Sequence, residues 1–114
     1  MKVYSGRREG ERVTVTVDGQ PLDPCLGLRN FQAGGFEWGY GGSGPSQLAL
    51  AILAEHAGPQ AAPGGYRHFV QTVIAEIETG NWRLTSDEID QRIAPTTIVP
   101  MDLKTLMRKV KGEI

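Results

Sequence analysis

The chain has 114 residues, 39% hydrophobic and 22% charged, with a net charge of -1. That balance suits one domain with a core of its own and excludes a disordered chain. It supplies no general electrostatic drive toward anionic lipid or nucleic acid, so no membrane partner is expected and nucleic acid is disfavoured. The single cysteine, Cys25, cannot close an internal disulfide and reads as a small half-buried hydrophobe. No apolar leader is visible and the longest apolar run, residues 48–54, cannot span a bilayer. A cytoplasmic location is the expectation.

Residues 2–7 and 12–17 read as a hairpin around Arg8-Glu9-Gly10-Glu11, the second arm alternating Val13, Val15 and Val17 with Thr14 and Thr16. Asp18-Gly19 is a closing turn. Residues 20–35 hold Pro21, Pro24, Gly27, Gly34 and Gly35 and read as loop, with a short extended segment at Leu26 and Leu28. Phe36-Glu37-Trp38-Gly39-Tyr40 alternates again and is predicted as a strand, its aromatic side chains on one face and Glu37 on the other.

A first helix is predicted from Pro45, with Gly44 at the N-cap and Gln47 three residues on; proline suits a first helical position. Its residues 48–54 are apolar on every side, which predicts a buried central helix. Gly58-Pro59 ends it and residues 60–65 read as a link. Tyr66, Phe69, Val70, Val73, Ile74 and Ile77 recur at helical spacing, an amphipathic second helix that Gly80-Asn81 stops. Trp82-Arg83-Leu84 is extended, Thr85 with Glu88 resembles a capping box for a helix through Ile93, and residues 97–99 read as extended. Leu103, Leu106, Met107 and Val110 stripe a last helix over about 102–111. The fold class is therefore α+β, a small antiparallel sheet packed on helices. Residues 1–94 form the domain and 95–114 a C-terminal extension that docks on the body or reaches a neighbouring subunit.

Chemistry concentrates in residues 36–45. Gly41, Gly42 and Gly44 permit positive φ and close backbone approach, and the following helix aims N–H groups and a positive dipole end at the turn. An anionic group there would gain hydrogen bonds, with Ser43 adding a hydroxyl. Trp38 or Tyr40 could stack on a ring, Glu37 could accept from a base or ribose, and Arg29, Arg7 or Arg67 could add countercharge. The bland alternatives are a tight turn over a buried helix and a Glu37 paired with Arg29. Neither the P-loop nor the dinucleotide fingerprint is present. Ser43 as a nucleophile lacks the Gly-x-Ser-x-Gly elbow, and its only open base is His68. Two histidines and one cysteine offer no metal set, and no cofactor is implied. The basic residues Lys104, Arg108, Lys109 and Lys111 suit a helix C-terminus.

The block from Phe36 to Pro45, continued by Gln47-Leu48-Ala49-Leu50-Ala51-Ile52-Leu53, resembles a family of small bacterial and phage proteins known only as a domain of unknown function. Val3-Tyr4-x-Gly6-Arg7, the Val-Thr-Val-Asp-Gly arm and Trp82-x-Leu84-Thr85 extend the resemblance over residues 1–93. It carries no established activity or catalytic residue. It implies phages, plasmids and integrated elements as the setting, where small proteins often antagonise host defence. The leading expectation is a non-enzymatic binding protein that sequesters a small anionic, nucleotide-type ligand. A module that binds a host protein or forms a homo-oligomer, and a serine hydrolase, are the alternatives.

Overall fold

A computed structural model describes residues 1–32 and 35–98, with side chains up to Ile93. The predicted last helix and its basic face lie outside the described residues. Strand alternation builds the sheet. β1 (Val3–Glu9) and β2 (Arg12–Val17) pair antiparallel, with Tyr4 opposite Val17, Gly6 opposite Val15 and Arg8 opposite Val13. Asp18 and Gly19 take φ of 51° and 84°, the left-handed pair that matches a two-residue turn to the twist of its strands. This turn leads into β3 (Gln20–Pro21). β4 (Asn81–Thr85) joins the other side of β1 with Leu84 opposite Tyr4 and Trp82 opposite Gly6, so the sheet order is β3-β2-β1-β4.

The inner face so defined carries Tyr4, Gly6, Val15, Val17, Trp82 and Leu84, and helices cover it. α1 (Ser43–Ala57) is buried continuously from Gln47 to Ala54. α2 (Ala62–Phe69) follows, and a π turn over Val70–Ile74 is closed by Ala75 N–H to the Val70 carbonyl at 2.8 Å. α3 (Ser86–Ile98) begins at the predicted capping box: Thr85 N–H donates to Glu88 Oε1 at 2.8 Å and Glu88 N–H to Thr85 Oγ1 at 3.2 Å. Tyr4, Leu48, Leu50, Ile52, Phe69, Ile74 and Ile89 have no exposed surface and mark the centre of the core.

Five local expectations are corrected. Residues 36–40 form no strand, because Gly39 turns at φ 90° and its N–H bonds the Ile74 carbonyl at 2.9 Å, not a neighbouring strand. α1 starts at Ser43, two residues before Pro45, and Gly42 stands at its N-cap. Residues 62–65, predicted as link, are the first turn of α2, with Pro63 near its start. Leu26 and Leu28 lie in turns, and α3 continues through residues 97 and 98 where an extended segment was expected.

Candidate functional site

The predicted site is one contiguous strip whose members divide into two groups. Glu37 and Trp38 are spent on the protein itself. Glu37 Oε1 accepts from Arg8 Nη2 at 2.6 Å and Oε2 from Nη1 at 3.3 Å, so its partner is Arg8 and not Arg29. The hydrogen bonds from Arg8 hold the Glu37 carboxyl below the ordinary glutamate range, against a smaller opposing effect of burial. Trp38 is only 4% exposed, donates Nε1–H to the Thr79 carbonyl at 3.0 Å and carries the Arg8 guanidinium 4.8 Å over its ring. Its edge-on contact with Trp82, at 5.6 Å and 85°, completes the enclosure. A ligand ring finds no open face on Trp38.

The Arg8–Glu37 pair has a definite acid signature. A carboxyl with a lowered folded pKa stabilises the fold in full above its unfolded value, about 4.3 for glutamate. That contribution disappears as pH falls through the lower folded value. We expect Glu37→Gln to lose stability at neutral pH and to converge with the parent protein in acid. Urea midpoints measured across that range check it; a constant difference at every pH would show that the pair contributes no charge-dependent stability.

Tyr40, Gly41, Gly42 and Ser43 form the second group and are exposed, Tyr40 by 52%. The glycines act differently from the expectation. Gly42 has φ 164°, an extended backbone open to any residue, and the left-handed glycine of this segment is Gly39. Gly44 is buried and needed for close approach, since a Cβ there would stand 2.8 Å from Glu37 Cβ. A Cβ on Gly42 would meet the Tyr40 ring at 3.0 Å, whereas Gly41 faces open space.

The start of α1 leaves donors unclaimed. Among the described residues no side chain caps it, and its first turn holds no acidic residue. Pro45 has no N–H, and Ser46 N–H bonds the Gly42 carbonyl at 2.9 Å. The Ser43 and Gly44 amides are the donors that the helix geometry directs outward. None of the depressions described borders residues 41–44; the nearest along the chain are one lined by Arg8, Trp38, Gly39 and residues 77–80 and one that includes Gly35, Phe36 and Glu37. The turn from Tyr40 to Ser43 is exposed.

Arg29 belongs to a different construction. Gln47, 0% exposed, donates Nε2–H to the carbonyls of Pro24 (2.6 Å) and Arg29 (3.0 Å). Its Oε1 accepts from the N–H groups of Phe31 (2.7 Å) and Gln32 (3.1 Å), which fills every hydrogen-bonding position of the amide. The Arg29 guanidinium sits 5.1 Å over the Phe31 ring, and Phe31 packs on Tyr66 with centroids 4.8 Å apart. Arg67 donates to Tyr66 Oη at 3.3 Å, and Arg7 alternates to the outer face of the sheet. The countercharges expected around the turn are therefore placed elsewhere.

Among the described residues no contact joins Ser43 to His68 and no three His, Cys, Asp or Glu side chains converge as a metal site would need. His56 instead meets Asp90 Oδ1 through Nε2 at 2.7 Å and ties α1 to α3. Burial, with Asp23 and Glu55 nearby, pushes the Cys25 thiol up and away from nucleophilic reactivity. The Tyr4 hydroxyl, buried and without a partner, is pushed up to about 12 by desolvation and then by Glu55 and Asp18. Among the described residues no helix is long and apolar enough to cross a membrane.

Comparison with known proteins places this architecture. The family of unknown function DUF6166 matches residues 4–95, and the chain belongs to that family. No curated protein and no solved structure matches the chain.

Proposed function

We propose that the chain is a non-enzymatic binding protein that receives the anionic group of a small, nucleotide-type ligand at the exposed start of α1. The observation that carries this reading is a 15-residue helix whose N-terminus has neither a side-chain cap nor a first-turn carboxylate, next to a half-exposed aromatic ring. Proteins ordinarily satisfy such a terminus with their own side chains. In this reading the Ser43 and Gly44 amides and the Ser43 hydroxyl hold the anion, and Tyr40 covers the ring or sugar. Glu37 and Trp38 set the position of the strip from beneath through Arg8 and Thr79. The helix dipole adds roughly 0.3–1 kcal/mol per charge at such an exposed position. In a protein carried by a phage or another mobile element, sequestering a nucleotide signal would antagonise host defence.

Isothermal titration of the full chain with cyclic and ADP-ribose-type nucleotides tests this. Binding should weaken about tenfold in Gly41→Val, which fills the open approach, and less in Ser43→Ala. Absence of heat across the panel, or affinity untouched by Gly41→Val, removes the reading.

A further inference from the structure

We infer that the outer face of the sheet is a second binding surface, distinct from the start of α1, that takes a phosphate-ester group. Because Tyr4, Gly6, Val15 and Trp82 turn inward, their neighbours Ser5, Arg7, Thr14, Thr16 and Arg83 turn outward, and among the described residues no helix covers them. They line, with Gly6, Asn81 and Trp82, a depression of about 620 Å³. Its size falls within the usual range for small-ligand sites.

The chemistry of that face is one-sided. Around the depression its outward side chains are hydroxyls, an amide and guanidinium groups, all able to donate hydrogen bonds. Arg83 has no hydrogen-bond or ion-pair partner within the described residues, and Arg7 meets Glu9 only at a loose 3.9 Å. With Arg12 opposite Glu9, the face carries three arginines against one glutamate in a chain whose net charge is -1. Arg7 pairs with Asn81 and Ser5 with Arg83, so the two guanidiniums are diagonal neighbours on adjacent strands, within reach of one ligand.

That donor supply selects the ligand. A carboxylate offers about four lone-pair positions, which one guanidinium with its roughly five N–H groups largely fills. Two guanidiniums with three neighbouring hydroxyls match the several oxygens of a phosphate ester. Among the described residues the one aromatic bordering the depression is Trp82, whose indole is held against Gly6, so recognition centres on the phosphate. The phosphate can belong to a free phosphorylated metabolite or to the backbone of a duplex.

Amide-resolved NMR titration of the full chain separates these sources. Inorganic phosphate, and in a second arm a short DNA duplex at low and raised salt, are added while the signals of Ser5, Arg7, Thr14, Thr16 and Arg83 are followed. Shifts at these residues with phosphate alone support the surface and assign it to free phosphate esters. Shifts only with the duplex, falling with salt, support it and assign the nucleic-acid backbone. Arg83→Gln should weaken either interaction about tenfold, and Thr14→Val, which keeps strand propensity, should weaken it less. Silence at these residues in both arms, or affinity unchanged in Arg83→Gln, overturns the inference. Shifts confined to Gly41–Ser43 would overturn it while leaving the start of α1 intact as a site.

Discussion

Replacing Gln47 with leucine is expected to cost about 3–5 kcal/mol, a large share of the stability of a domain this size. The two side chains have similar volume, so the loss comes from hydrogen bonding and not from a cavity. The substitution strands the carbonyls of Pro24 and Arg29 and the amides of Phe31 and Gln32, all held by a side chain with no exposed surface. Each buried polar group left without a partner costs about 1–3 kcal/mol unless the loop opens to solvent. Opening has its own price, because Phe31 leaves Tyr66 and the Arg29 guanidinium leaves Phe31. Urea denaturation reads the loss, and hydrogen exchange at Phe31 locates it. A change below about 1 kcal/mol with an unaltered denaturant slope would mean that the loop contributes nothing to the native state as populated.

Gln47 also shows where sequence reasoning reached and where it stopped. Elements set by short-range pattern were legible: the hairpin from the Val/Thr alternation, the Asp18-Gly19 turn from its two left-handed residues, and the α3 start from Thr85 and Glu88. The buried character of α1 followed from its apolar run. A glutamine inside that run was itself a signal, yet its position after Gly44 suggested a helix start, and nothing local identifies partners 15 to 23 residues away. Residues 36–40 failed for a related reason. Alternation placed Trp38 and Tyr40 on one face opposite Glu37, whereas Trp38 is buried, Tyr40 is exposed and Glu37 and Trp38 both meet Arg8; strand status needs a partner that only the tertiary fold assigns. Around the candidate site, the turn into α1 was legible from its glycines and proline. The Arg8–Glu37 pair was not, since the two are 29 residues apart and several arginines were available.

Gly6→Ala should be the other severe substitution, and it tests how two remote sequence features meet. Gly6 in β1 and Trp82 in β4 stand opposite each other, with both side-chain positions on the inner face. The absence of a side chain at Gly6 lets the indole lie flat against the strand. A Cβ added there would stand 2.1 Å from Trp82 Nε1 and 2.2 Å from Cε2, inside the ring itself and not at a flexible end. The indole cannot retreat cheaply, because Trp38 meets it edge-on and is itself held by Arg8 over its ring. Overpacking of this kind costs about 1–3 kcal/mol, and the upper end is expected because both strand and indole are held. Reduced unfolded-state entropy returns only about 0.4–1 kcal/mol. The decisive measurement is a double-mutant cycle with Trp82→Leu. With the indole gone, Gly6→Ala should become nearly neutral, giving a coupling of about 2 kcal/mol between positions far apart in sequence. Equal cost in both backgrounds would refute steric conflict with Trp82 and leave the backbone at Gly6 as the source of the penalty.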